Sequence, residues 1–201
     1  MIQEANIGVG IRGQEGSQAV RAADYALSQF SFLKKLVLVH GRIGYRRISF
    51  VVQYYFYKNI ILVFTEIYFA YFSAYSGQIY FAEWLPTMYN ALWTSLTCLF
   101  AFAYEDDVHK PEIAFSNTKL YKMGQKGKYF NIWVFWKWVI LSVWHGFVIY
   151  WLVSVSLSEA IDGSGKTPDH WYISTVAFSC VIHLVTWILI IETINVNLIY
   201  V

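Results

Sequence analysis

Phe50-Val-Val-Gln-Tyr-Tyr-Phe-Tyr-Lys-Asn-Ile-Ile-Leu-Val-Phe-Thr-Glu-Ile-Tyr-Phe-Ala-Tyr-Phe-Ser-Ala-Tyr75 decides the fold. Its only charges are Lys58 and Glu66, and it exceeds the roughly 20 apolar residues that a helix needs to cross a bilayer. Three further runs meet the same criterion: Leu85–Ala103, Ile132–Leu157 and Ile173–Ile191. Aromatic side chains gather near their ends (Tyr54, Tyr55, Trp84, Trp133, Tyr172), as in the headgroup belt of a membrane protein. The whole chain agrees with this reading. Of its 201 residues 57% are hydrophobic and 20% aromatic, while only 14% are charged, against roughly a quarter in soluble domains. An aromatic-rich soluble core is the alternative, and the grouping of apolar residues into four long runs argues against it. Pro86, Pro111 and Pro168 stand at run entrances or between runs. Cys98 and Cys180 lie inside apolar runs, as small buried hydrophobes rather than a disulfide or metal site.

Loop charge gives an orientation. Residues 1–49 carry Arg12, Arg21, Lys34, Lys35, Arg42, Arg46 and Arg47, and the segment 104–131 adds Lys110, Lys119, Lys122, Lys126 and Lys128. The stretch Ser76–Trp84 has no Lys or Arg, and Ser158–Tyr172 has Lys166 alone. Lys and Arg collect on cytoplasmic loops, which places both termini and the middle loop in the cytoplasm. A net charge of +2 does not by itself speak for or against nucleic acid, and no nucleic-acid partner is expected.

The first fifty residues differ from the rest. Ala5–Ile11 reads as a strand, Gly13–Gly16 as a turn and Ser17–Ala23 as a short helix. From Ser28, the residues Phe30, Leu33, Leu36, Val37, His40 and Ile43 recur at helical spacing and run without a strong breaker into the first span. One long helix is expected to begin in a cytoplasmic domain and enter the membrane as a stalk. A single strand and helix bury too little surface to be stable alone, so an upstream part is expected.

Lys58, followed by Asn59, sits about two turns into the first span. A charge at that depth either faces the bundle interior or snorkels to the interface. Glu66 is about two turns further on, too far for an i,i+4 pair. In the second run Asn90, Thr94 and Thr97 form a polar stripe, which serves either a function or interhelical hydrogen bonding.

Several blocks carry a family resemblance. Met1-Ile-Gln-Glu-Ala-Asn-Ile-Gly-Val-Gly-Ile11 resembles the stretch after the Gly-Asp-Gly-x-Asn-Asp magnesium motif of P-type ATPases. Gly13-Gln-Glu-Gly16, Gln18-Ala-Val-Arg21, Asp24-Tyr-Ala26 and Leu36-Val-Leu-Val-His-Gly-Arg42 are similar to its lipid-flippase branch. So are Tyr57-Lys-Asn59, Ser76-Gly-Gln78, Tyr89-Asn90, Leu120-Tyr121, Gly124-Gln125, Phe130-Asn131, Asp162-Gly163 and Gly165-Lys166. The match covers most of residues 1–166 in order and fades after about Trp171.

The resemblance implies an ATP-driven phospholipid translocase that moves lipid from the outer to the cytoplasmic leaflet through an aspartyl phosphate. The phosphorylated Asp, the nucleotide site and four spans would precede residue 1, and two spans would follow Val201. The implied fold is an all-α membrane bundle of four transmembrane helices, preceded by a remnant of an α/β (Rossmann-like) phosphorylation domain and a stalk helix. On this expectation residues 1–30 end the phosphorylation domain, 31–49 are the stalk, and 50–201 hold spans at about 50–75, 85–103, 132–157 and 173–191. No catalytic or metal-ligating residue is expected. Mg2+ and ATP belong to the full-length family, with neither bound by this fragment. The partners implied are phospholipid, the bilayer and an accessory beta subunit. Lys58, Asn59 and Asn90 occupy positions that line the family's headgroup path, with Thr94 on the same stripe. Thr97 departs from the family, which has proline there, and Trp187 or Ile188 stands where it has lysine or glutamine. Two rivals remain open: a stand-alone four-span membrane regulator or scaffold, and a fragment of a cation-transporting P-type ATPase. Against the second, Leu85–Ala103 has no carboxylate.

Overall fold

A computed structural model describes residues 4–13, 18–104, 115–117, 119–158, 160–161 and 165–193. Of the blocks quoted above, Met1–Gln3, Gln14–Gly16 and Asp162-Gly163 lie outside these residues. The chain divides into two compact units, Met1–Arg46 with Asp107–Lys128, and Arg47–Asp106 with Tyr129–Val201.

In the first unit, β1 (Val9–Ile11) pairs parallel with β2 (Tyr25–Leu27), in register Val9↔Tyr25. Parallel strands need a crossover of about a dozen residues. Here it contains α1 (Gln18–Arg21). The strand expected at Ala5–Ile11 is therefore shorter, and β2 was not anticipated. Asp24 closes the pair: its Oδ2 accepts from the Gly8 amide at 2.8 Å, while the Asp24 and Tyr25 amides donate to the Gly8 carbonyl.

The long helix is present. The path from Phe32 to Phe72 is helical throughout, as α2 (Phe32–Lys35), a π-helical stretch Leu36–Gly41 and α3 (Arg42–Phe72). A π turn takes up an extra residue and rotates the apolar face. Val39 is consequently the buried residue of this stretch, and Val37 of the expected stripe is exposed. The later part of this first unit is α6 (Lys119–Gln125), where the Arg42 guanidinium donates to the Leu120 carbonyl.

Among the described residues three helices are long and apolar enough to cross a bilayer: the Phe32–Phe72 path, α7 (Ile132–Ser158) and α8 (His170–Glu192). The α7 start is capped by Asn131, whose Oδ1 accepts from the Val134 amide at 2.8 Å, and Asp169 in extended conformation precedes α8. The α3 end is closed by a Schellman-type pair, Tyr75 N–H to Ala70 C=O and Ala74 N–H to Tyr71 C=O, with Ala74 left-handed at φ 54°. The expected run Leu85–Ala103 is not one helix. It is divided into α4 (Trp84–Met88), a π-helical stretch Tyr89–Trp93 and α5 (Ser95–Tyr104), with a turn at Thr94.

Buried residues of α3 fall at 49, 53, 54, 57, 58, 61, 62 and 65, recurring at three- and four-residue helical spacing, and this stripe carries Ser49, Gln53, Lys58 and Thr65. Its opposite face exposes Phe56, Val63 and Ile67. This is the inside-out distribution of a bilayer protein, with polar groups between helices. Tyrosine hydroxyls bind α3 to its neighbours: Tyr54 Oη donates to the Val185 carbonyl of α8 at 3.2 Å, and Tyr68 Oη to the Val143 carbonyl of α7 at 3.3 Å. Tyr57 Oη lies 2.6 Å from His145 Nδ1. Phe178 of α8 receives the rings of Phe81, Tyr89 and Trp93 edge-on at 5.4 to 5.9 Å.

At Gly146 the α3 and α7 backbones approach so closely that an added Cβ would stand 3.2 Å from the Ile61 carbonyl oxygen and 3.4 Å from Phe64 Cβ. Small residues at helix crossings in membranes allow such contact. Gly146→Ala should therefore lower stability by about 1–3 kcal/mol through overpacking. Gly44→Ala, where nothing lies within 4 Å, should be neutral or stabilising by up to ~1 kcal/mol from helix propensity. Thermal unfolding of both variants in detergent checks this; equal melting points would contradict the close crossing.

Candidate functional site: a buried lysine against a divided helix

Lys58 faces the interior. Its side chain is 0% exposed, so it does not snorkel. The ammonium donates to Asn90 Oδ1 at 3.0 Å and to Thr94 Oγ1 at 2.8 Å. Its acceptors among the described residues are thus an amide oxygen and a hydroxyl, both neutral. The Tyr55 ring centroid lies 4.4 Å from Nζ and that of Tyr89 5.8 Å away, within the range of cation–π attraction.

The break in the helix makes this arrangement. Asn90 lies within the π-helical stretch and Thr94 directly follows it, and this wider winding presents both to the same side of α3. Local bonds hold the turn: Thr94 Oγ1 and the Thr94 amide both donate to the Tyr89 carbonyl, Ser95 Oγ donates to the Asn90 carbonyl, and Thr97 Oγ1 to the Thr94 carbonyl at 3.1 Å. Tyr89 Oη returns across the interface to the Lys58 carbonyl at 2.9 Å. Lys58 is therefore bound to the divided helix through both its side chain and its backbone.

Of the four residues expected at the site, three come together: Lys58, Asn90 and Thr94. Asn59 does not join them. Its amide donates to the Tyr55 carbonyl one turn back at 2.9 Å. Sequence reading missed Tyr55, Tyr89 and Cys98. Tyr55 precedes Lys58 by three residues, a helical spacing that could have indicated the contact. Cys98 is fully buried one turn after Thr94, and its amide donates to the Thr94 carbonyl. Of the family departures, Thr97 is half-buried, Trp187 exposed and Ile188 half-buried. Glu66 is half-buried further along α3. Among the described residues no three His, Cys, Asp or Glu side chains group together.

Residues 20–201 match the model of the phospholipid-translocating P-type ATPase C-terminal family. The chain belongs to that family. It is 37% identical over 183 residues to a phospholipid-transporting ATPase of Schizosaccharomyces pombe, covering 90% of this chain and 14% of the relative. It is 39% identical over 173 residues to phospholipid-transporting ATPase DRS2 of Saccharomyces cerevisiae, covering 85% and 13% respectively. With phospholipid-transporting ATPase IK of Homo sapiens the identity is 34% over 195 residues, 95% of this chain and 15% of that protein. The chain thus corresponds to about a seventh of the length of such phospholipid-transporting ATPases.

If the paired oxygens stabilise Lys58, Thr94→Val should destabilise the bundle by about 1.5–3 kcal/mol, the range for a hydrogen bond to a charged group. Thr94→Ser should stay within ~1 kcal/mol of the parent because it keeps the hydroxyl. Thermal unfolding in detergent distinguishes them, and equal losses would show that the Thr94 methyl, not the hydroxyl, matters.

Proposed function

We propose that this chain is the C-terminal transmembrane part of an ATP-driven flippase that moves phospholipid from the outer to the cytoplasmic leaflet. Lys58, with Asn90, Thr94 and Asn59, lies on the headgroup path. The observation that carries the reading is Lys58 itself: a fully buried ammonium, inside a helix of membrane-crossing length, bonded to two neutral oxygens. Such a charge is costly in a membrane and marks a transport path or a binding partner. An ammonium flanked by an amide and a hydroxyl suits an anionic phosphate, because charge-assisted hydrogen bonds are the strong ones. The family membership and the names of the relatives supply the lipid.

In this reading the divided run 84–104 counts as a fourth span, and the β1–α1–β2 unit with residues 1–30 is the end of a Rossmann-like phosphorylation domain. Residues 31–49 are its stalk. Both termini face the cytoplasm, and an accessory beta subunit is a partner of the whole protein. Mg2+ and ATP act on the part of the full-length protein outside this chain, which binds neither. The isolated chain should form no acid-stable phosphoenzyme from labelled ATP; any such labelling of purified chain overturns that assignment.

Orientation is tested by single-cysteine labelling in a Cys98→Ala, Cys180→Ala background. An impermeant reagent applied from outside should label Gly165→Cys and leave Gly124→Cys unlabelled in sealed membranes. The reverse pattern would sink both the orientation and the direction of transport.

The role of Lys58 is tested in the full-length protein, or in a chimera supplying the remaining domains. Lys58→Ala should raise the lipid concentration for half-maximal stimulation of ATP hydrolysis by about ten-fold or more, the loss expected for one charge-assisted hydrogen bond. Lys58→Arg should not restore it, since a planar guanidinium does not fit an ammonium's site. Normal lipid affinity and turnover in the alanine variant would rule the reading out.

A further inference from the structure

The Lys58 ammonium has three N–H donors. Two are satisfied by Asn90 Oδ1 and Thr94 Oγ1, and among the described residues no third oxygen accepts from it. Aromatic faces stand there instead, and the two rings are unlike. Tyr89 is immobilised: it is fully buried, its hydroxyl is bonded to the Lys58 carbonyl, and Phe178 packs on its ring. Tyr55 is closer to the ammonium yet 38% exposed. Its hydroxyl has no hydrogen-bond partner among the described residues, and no aromatic ring packs against it there. It stands one turn before Lys58 on α3, with its ring centroid 4.4 Å from an ammonium that is itself fully buried.

We propose that the Tyr55 ring is a displaceable cover on Lys58, which an anionic phosphate oxygen of a phospholipid headgroup must push aside to take the third N–H. This rests on the reading that Lys58 meets a headgroup, and adds to it a residue that sets how readily the headgroup arrives. The physical basis is the difference between two partners of one cation. A neutral ring face attracts an ammonium weakly at an exposed site. An anionic oxygen forms a charge-assisted bond that is considerably stronger. Rotation of an exposed side chain takes picoseconds to nanoseconds, so the exchange of ring for phosphate has no large kinetic barrier. The ring meanwhile keeps the ammonium from presenting a bare charge to hydrocarbon when no lipid is bound. Tyr55 is thus a positioning residue that acts through Lys58, and its contribution enters as a competitor of the ligand. Removing the ring should tighten lipid binding, the opposite of what simple damage to the site would do.

The test uses the full-length protein or chimera. Phosphatidylserine and, separately, phosphatidylcholine are titrated in detergent micelles, and the lipid that stimulates ATP hydrolysis by the parent protein is used. Tyr55→Leu should lower the half-maximal lipid concentration by about three-fold, the loss of one modest cation–π contact. Tyr55→Phe, which retains the face, should match the parent, and Tyr55→Trp, a stronger face, should shift it the other way. In a Lys58→Met background Tyr55→Leu should produce no further shift. Soluble glycerophosphoserine should not stimulate the parent or any variant. Gel filtration confirms that each variant is folded, and Tyr55→Trp and Tyr55→Phe carry the test if Tyr55→Leu is not. An unchanged or weakened affinity in Tyr55→Leu, the same shift in Tyr55→Phe, a shift that persists without Lys58, or stimulation by the soluble headgroup would each overturn the cover. If Lys58→Met alters lipid affinity while Tyr55 variants do not, only the cover fails. If Lys58→Met is itself normal, the headgroup reading fails with it.

Discussion

A positive charge with no negative partner among the described residues sits inside an apolar bundle, and the helices of the second unit pack around it. Removing an ammonium from water is expensive, and only hydrogen-bonding oxygens offset that cost in a low-dielectric interior. Asn90 and Thr94 supply them, and they can do so because the helix that carries them is not a regular α-helix. Winding one turn as a π-helix turns both acceptors toward Lys58. The hydroxyls of Thr94, Ser95 and Thr97 then take up carbonyls that the altered winding leaves available. The divided helix and the buried charge therefore explain each other.

The surroundings of Lys58 are rigid for a different reason. The α3 face that packs inward is rich in tyrosine, and tyrosine brings a large apolar ring with a hydroxyl at its tip. Tyr54, Tyr57, Tyr68 and Tyr89 each span an interface with that hydroxyl while their rings pack edge-on against Phe, Trp or His. Between membrane helices, where lipid competes equally well for apolar surface, such bonds and the close crossing at Gly146 hold the helices in register. Tyr80, beyond α3, departs from this pattern: it stacks on Phe69 at 4.6 Å, and its buried hydroxyl has no partner among the described residues; burial pushes this phenol's pKa upward. A stiff frame around one charged side chain suits the proposed role, since headgroup selection requires donors held at fixed positions.

Much of this was legible in the sequence. The apolar runs at 132–157 and 173–191 lie within one to three residues of the observed α7 and α8. Lys58, Asn90 and Thr94 were each conspicuous as polar groups in apolar surroundings. Their meeting was not legible, because it depends on two elements about thirty residues apart and on a π turn, which leaves no mark in periodicity. A regular helix over Leu85–Ala103 was the natural expectation, and the hydroxyl-rich stretch Thr94-Ser-Leu-Thr97 was the only local hint that carbonyls there would need other donors. Asn59 stands apart from these three in geometry: neighbours on a helix point about 100° apart, and its amide bonds to its own helix. The strand Tyr25–Leu27 was missed because three residues are too few to show alternation; it is set by the Asp24 carboxylate at the Gly8 amide.

In the proposed role the buried ammonium, held between an amide and a hydroxyl, is the group that receives the lipid headgroup. The most direct measurement is a cryo-EM map of the full-length protein with phospholipid trapped in the membrane domain. A phosphate oxygen is expected within about 3 Å of Lys58 Nζ, at ordinary hydrogen-bond distance. A headgroup lodged elsewhere, with Lys58 still bonded to Asn90 and Thr94 alone, would contradict it and leave the lysine a structural bridge between two helices.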